Sequence, residues 1–178
     1  IRIAVSYVKF SGVNCVAAKI TKFIESGGKV KLLFGDDFRI SESRALRQLF
    51  QMGVDLRLFL SEQRINYHPK MWIFEGESRL ASLTGSSNLS GPALATNIEA
   101  NILLENDPSI VRKQISYFDN LWEEFSFRNI DDEWIDHYID MERALSADIR
   151  YKHNGFVDYK ASYRQVSDFI EGWIRHIR

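Results

Sequence analysis

The sequence holds a single cysteine, Cys15, in 178 residues. One thiol cannot close a disulfide within the chain, which excludes an internally stapled scaffold and fits a reducing cytosol. No apolar run reaches the roughly 18 residues a membrane span needs. The opening stretch "IRIAVSYV" is too short for the apolar part of a secretory leader, and no cleavage site follows it. A cytoplasmic location is the expectation. A charge excess is missing as well: 23 Lys and Arg stand against 24 Asp and Glu, a formal net charge of -1. With no basic tail, any hold on a polyanion must be local, at a patch or groove, or lie elsewhere in the protein. There is no internal repeat and no low-complexity segment. The chain begins at Ile1 rather than Met, as a fragment or trimmed product would.

What is present suits one domain, or one domain with a helical appendage. The chain is 45% hydrophobic and 26% charged, enough to bury a core and keep a polar surface. "IRIAVSYV" reads as a buried strand. Val13, Val16, Ala17, Ile20, Phe23 and Ile24 then recur at helical spacing up to Gly27 and Gly28, a helix stop. "KVKLLFG" is a second strand. Ser41 is the expected N-cap of a helix through Ala45, Leu46, Leu49 and Phe50 that ends at Gly53. "VDLRLFL" is a third strand. Strand, helix, strand, helix, strand implies right-handed crossovers and a parallel core.

The pattern then changes. "HPKMWIFE" and "RLASLTG" are separated by a short break near Gly76 and read as a hairpin. "TNIEANILLE" is a further strand. Val111, Ile115, Phe118, Trp122 and Phe125 mark a helix stripe after it. The expected fold class is α/β, a mixed and largely parallel sheet flanked by helices, over residues 1–127. A helical C-terminal extension is expected over 128–178. Trp134, Ile135 and Tyr138 mark one segment there, and Val166, Phe169, Ile170, Trp173, Ile174 and Ile177 another, with a loop or short hairpin at "RYKHNGFVDYK" between them.

The chemistry gathers between residues 68 and 99. Side chains alternate along a strand, so His68 and Lys70 point the same way. Pro69 between them removes a ladder donor and sets a strand start or edge. Gly85-Ser86-Ser87-Asn88 ends the next strand, where glycine allows close approach and Ser and Asn donate hydrogen bonds. Glu99 reads as a charge inside an apolar strand, costly unless paired, and histidine is a natural partner. Phosphodiester cleavage needs this set. A neutral imidazole can attack phosphorus. Lys, Ser and Asn can hold the non-bridging oxygens, and a carboxylate can fix the imidazole tautomer. No Cys/His cluster and no carboxylate set at metal spacing is visible, so neither metal nor cofactor is expected.

In this order, His68-Pro69-Lys70, Gly85-Ser86-Ser87-Asn88 and Asn97-Ile98-Glu99 resemble the phospholipase D superfamily pattern H-x-K, G-S-x-N, N-x-E. The likeness is greatest to its single-motif bacterial nucleases, including metal-independent restriction endonucleases. The resemblance implies that His68 is the nucleophile, that Lys70, Ser86 and Asn88 bind phosphate, and that Glu99 orients His68. The superfamily's aspartate, five residues after the lysine, is Glu75 here, and no catalytic role is given to it. A longer gap to the glycine implies a turn over residues 76–79. One motif copy per chain implies a homodimer that builds one site from two His68 side chains, one attacking and one protonating. Two equivalent imidazoles would titrate as a coupled pair, with a rate optimum near or below neutrality.

Singly, these residues are unremarkable. A lone histidine is most often a packing residue, a lone lysine a solvated one, and "GSSN" a turn. His137, His153 and His176 read as surface or packing residues, and Trp122, Trp134 and Trp173 as core. Asp131, Asp132 and Glu133 read as the acidic start of a helix. Residues 6 to 11 follow the first strand and could line the site. Lys9, Arg64 and Arg79 are weak candidates for phosphate contact. Three functions compete. The first is a DNA-cleaving phosphodiesterase of a restriction or defence system, with sequence reading by a further recognition or helicase domain or subunit. The second is phosphatidyl transfer on lipids, which predicts interfacial helices and usually two motif copies. The third is a non-catalytic DNA-docking dimerisation module, which predicts a degraded constellation.

Overall fold

The computed structural model describes residues 1–35, 40–59, 67–105, 107–124 and 127–152. Arg64, Phe125, His153, His176 and the expected segment from Val166 to Ile177 lie outside the described residues. Two units divide the chain, Ile1–Ile139 and Asp140–Arg178. The first takes in the sheet and the opening turns of the last described helix.

In the first unit, β1 (Arg2–Val5), α1 (Phe10–Glu25), β2 (Lys31–Gly35), α2 (Ser43–Gln51) and β3 (Asp55–Phe59) alternate as the periodicity predicts. Both crossovers join parallel neighbours, β1 to β2 and β2 to β3. Gly27 and Gly53 sit at positive φ, 90° and 85°, where glycine ends a helix without a Cβ penalty. Ser41 is not the cap of α2. Glu42 holds that position. The Ser41 hydroxyl instead accepts from Val8 N and donates to Gly35 O, each at 3.2 Å, and so ties the ends of β1 and β2.

β4 (Lys70–Glu75) and β5 (Leu80–Gly85) form the expected hairpin, with Gly76 N donating to Arg79 O across the turn. After them come α3 (Gly91–Ala95), β6 (Asn101–Leu104), α4 (Pro108–Glu123), β7 (Phe127–Asn129) and α5 (Asp132–Lys152). The strand order is β6-β5-β4-β1-β2-β3-β7. The sheet is mixed, and its parallel part is confined to β1, β2 and β3. The other four pairings are antiparallel. The strand expected over "TNIEANILLE" begins only at Asn101, so Glu99 lies in its lead-in rather than its interior. Arg150, Tyr151 and Lys152, expected in a loop, are helical.

α4 starts at a made cap. Pro108 stands in its first turn and Asp107 Oδ1 accepts from Ile110 N at 3.0 Å. Val111, Phe118 and Trp122 face inward onto Ala4, Leu33, Met71 and Ile73. Each such side chain contributes about 1.5–3 kcal/mol by leaving water. Residues alternating with these, Ile3, Val5, Leu32 and Phe34, are fully buried on the opposite face, where right-handed crossovers place α1 and α2. Arg2 joins β4 to α4 by pairing with Glu75 at 2.6 Å and Asp119 at 2.9 Å, so Glu75 has a structural partner at the far end of β4. Asp132 and Asp136 of α5 pair with Arg47 of α2. His137 is exposed. Trp122 is core, and the half-buried Trp134 stacks on Tyr138.

Candidate active site

The site forms where β1 ends, β4 begins and β5 ends. Antiparallel β1–β4 pairing sets Val5 opposite Lys70, which brings the residue after β1, Ser6, beside the lysine. Lys70 is only 9% exposed. Its ammonium lies 2.8 Å from His68 Nδ1 and 3.0 Å from Nε2, and donates to Ser6 Oγ at 2.8 Å and to the His68 carbonyl at 3.1 Å. The expected same-side pair of His68 and Lys70 is thus present. His68 itself is exposed, just ahead of the strand.

Asn88 is buried. Its Oδ1 accepts from Ser6 N at 2.9 Å. A backbone N–H can only donate, so this bond fixes the orientation of the amide and leaves Nδ2 as its donor end. Ser6 therefore touches two motif residues, Lys70 through its hydroxyl and Asn88 through its amide. Sequence reasoning included it only within a loop of six; its position after β1 was the available signal.

Ser86 and Glu99 form a second group. The Ser86 hydroxyl donates to the Glu99 carboxylate and accepts from Ala100 N at 3.0 Å. Asn97 Nδ2 donates to the other Glu99 oxygen at 3.2 Å. The Ser86 bond, then the Asn97 bond, hold Glu99 below the usual carboxylate range, so it is ionised. Among the described residues no hydrogen bond or ion pair joins Glu99 to His68; the pairing inferred from burial fails because Glu99 is not deeply buried. The charge of Glu99 does reach Lys70. Burial lowers the Lys70 ammonium from its ordinary value, and Glu99 partly offsets that. The single proton of Ser86 is already committed, so a phosphate oxygen would have to displace Glu99 to take it.

Two contacts missed in the sequence hold the loop. Asn101 Nδ2 donates to Ser87 Oγ at 2.8 Å, and Lys9 N donates to Leu89 O at 2.8 Å. The Lys9 side chain pairs loosely with Glu42 at 3.6 Å, and that of Arg79 with Glu105 at 3.5 Å.

A mixed sheet with an imidazole, an ammonium and a carboxamide converging at strand ends defines a phospholipase D-like domain. The chain belongs to that family: residues 1–122 match the family model described as "Cardiolipin synthase, PLD-like domain". Among solved structures it is similar to NucT from Helicobacter pylori, with TM-score 0.56 and 19% identity over 72% of this chain and 80% of that one. It is also similar to Nuc from Salmonella typhimurium, a phospholipase D family member, with TM-score 0.53 and 20% identity over 74% and 80%. A phosphatidylserine synthase from Haemophilus influenzae gives TM-score 0.51 and 16% identity, covering 85% of this chain but 41% of that one. No curated protein matches the chain. No helix among the described residues is long and apolar enough to cross a membrane.

Proposed function

We propose that this protein is a phosphodiesterase that cleaves DNA through a phosphohistidine, without a metal, as a homodimer. One observation carries the reading: the Lys70 ammonium sits against the His68 imidazole, and Ser6 bonds both that ammonium and the Asn88 carboxamide. A phosphate diester has two charged oxygens to be held and a phosphorus to be attacked, and these three groups suit that task. In the resting state Lys70 occupies an imidazole lone pair. An arriving phosphate oxygen competes for the ammonium and frees the ring nitrogen. His68 then forms a P–N bond as the P–O bond to the leaving group breaks. The leaving oxygen takes a proton from the second imidazole. Water, deprotonated by that same imidazole, then breaks the P–N bond and yields a phosphomonoester with His68 restored. Lys70 and Asn88 stabilise the phosphoryl oxygens throughout, and the ionised Glu99 favours the charged form of Lys70.

Each chain supplies one imidazole at the site, so the second comes from another copy. A partly uncovered apolar face supports this. Lys70, Trp72 and Phe74 alternate onto one side of β4, with Leu83 and Leu103 in register beside Trp72. Phe74 is 38% exposed and Leu103 57%, on the face that carries Lys70. On this reading a second copy covers that face and contributes its own His68 to a shared site. The single motif and the 80% coverage of NucT and Nuc, against 41% of the lipid enzyme, favour the nuclease reading over the lipid one. Sequence recognition, as in a restriction or defence enzyme, would then fall to another module, since a near-neutral domain holds DNA weakly.

The test incubates the protein in EDTA with plasmid DNA and with phosphatidylglycerol vesicles, alongside His68→Ala. Nicking that survives EDTA and disappears in the variant is expected, with an optimum near or below about pH 7. A magnesium requirement, or a rate flat from about pH 6 to 9, would count against the mechanism. Turnover of the lipid alone would favour the phosphatidyl-transfer reading that the family description admits.

A further inference from the structure

We infer that Ser6, outside all three motif segments, is the positioning residue that locks the Lys70 ammonium and the Asn88 carboxamide into one rigid phosphate clamp. The inference rests on the phosphodiesterase reading for its consequence but not for its geometry. Ser6 stands 64 residues from Lys70 and 82 from Asn88, yet bonds both, at 2.8 Å and 2.9 Å. It is buried, and its hydroxyl reaches Pro69 O at 3.5 Å, which gives its own proton an outlet while its lone pair takes the lysine. β1 is flanked on both sides, by β2 and β4, so the end that presents Ser6 cannot shift without the sheet. The result is a chain of bonds from imidazole to ammonium to hydroxyl, continued through the Ser6 backbone to the amide. Lys70 is a flexible side chain with three rotatable donors and gains most from a fixed acceptor. Without that acceptor it keeps its bonds to His68, but loses the link that spaces it from Asn88.

The function of the hydroxyl is therefore separable from that of the backbone. Ser6→Ala keeps the N–H to Asn88 and removes only the acceptor for Lys70. Ser6→Thr restores a hydroxyl on a slightly larger side chain. Two readouts are taken on the full chain. The first is the titration of Lys70 followed by NMR on protein with labelled lysine side chains, which needs no substrate. The titratable groups facing Lys70, His68 ahead of its own strand and Glu99 in the β6 lead-in, are unaltered in every variant. Losing a bond to the charged form moves the Lys70 titration in Ser6→Ala to lower pH. Ser6→Thr returns it toward the parent. The second is cleavage of bis(p-nitrophenyl) phosphate, where kcat is expected to fall about 10- to 100-fold in Ser6→Ala with little change in KM, the loss that displacing a positioned group by about 1 Å can cause. Should the alanine variant not fold, Ser6→Cys, similar in volume and a poor acceptor, takes its place. An unmoved Lys70 titration in a folded variant overturns the proposal, as do equal losses of kcat in the alanine and threonine variants. If the parent protein cleaves no diester, or His68→Ala cleaves as well as the parent, the phosphodiesterase reading fails. The NMR titration still decides whether Ser6 governs Lys70.

Discussion

Lys70 carries charge where charge is penalised. Burial lowers its affinity for a proton in the folded state, and the charge of Glu99 only partly offsets this. In the unfolded chain the ammonium is solvated and binds its proton up to higher pH. Stability therefore rises with pH across the window between the folded and unfolded values, and the full penalty is present below the folded value. On the proposed reading such a residue serves the chemistry rather than the fold. Replacing it with an apolar side chain of similar length should stabilise the domain and end its chemistry. Lys70→Met is expected to raise the melting temperature by about 2–4 °C, what ~1 kcal/mol gives a domain of this size, and to abolish diester cleavage. A lower melting temperature at pH 7 would show that the bonds to Ser6 and His68 outweigh desolvation. Glu99 has the opposite sign. Its ionised form is favoured by Ser86 and Asn97, so whatever it contributes is present above the ordinary carboxylate range and lost as pH falls through its lowered value. It should remain an anion across the range in which His68 works.

At the scale of elements, two glycines let chain segments approach where no side chain fits. A Cβ on Gly85 would lie 2.2 Å from Ala100 O and 2.7 Å from the Asn101 Cα, so the β5–β6 contact itself requires the "G" of the motif loop. A Cβ on Gly12 would lie 2.3 Å from the Leu89 carbonyl carbon, where α1 crosses the segment after Asn88. Neither obstacle is a flexible side-chain tip. Gly85→Ala and Gly12→Ala are each expected to cost about 1–3 kcal/mol or more as overpacking, read as a drop in the urea midpoint. Gly76→Ala, whose Cβ meets nothing closer than 3.7 Å, should be near neutral. Wild-type midpoints for the first two would show that β6 and α1 can move aside. Much of this architecture was legible in the chain. The apolar spacing of α1, the stops at Gly27 and Gly53 and the β4–β5 hairpin are local signals, and local patterns carry them. What escaped was tertiary. β7 is three residues long and exists through its pairing with β3. Ser41 has a capping side chain, but Val8 and Gly35 claim it. Glu99 was taken as buried because apolar residues follow it, whereas β6 is an edge strand that leaves Ile102 and Leu103 exposed. At the site the linear motif made His68, Lys70, Ser86, Asn88 and Glu99 visible. It could not show that Ser86 spends its proton on Glu99, or that Ser6 joins Lys70 to Asn88 across the sheet.

At the scale of the whole molecule, the number of imidazoles per site decides the mechanism. Each chain brings one His68, and the rows of apolar side chains beside Lys70 leave Phe74 and Leu103 in water. If a second copy covers that face, the assembly is isologous, and the proposed mechanism requires its two-fold axis to bring the two His68 side chains to one site. Leu103→Glu tests the face. The side chain is more than half exposed, so the substitution should alter monomer stability by no more than about 0.5 kcal/mol yet place a carboxylate in the contact. Sedimentation should show monomers, and cleavage per chain should fall on dilution in the variant well before it does in the parent. His68→Ala mixed with wild type tests the sharing. After exchange of subunits in a 1:1 mixture, random pairing leaves about a quarter of dimers with two histidines and about half with one. If attack and protonation need both imidazoles, activity falls to about a quarter of that of the same total of wild-type chain; if each chain acts alone, it falls only to about half. The half-value, reached with subunit exchange shown by a tagged chain, would mean that one His68 attacks without help from the other. The leaving group would then have to find its proton on another side chain or in water.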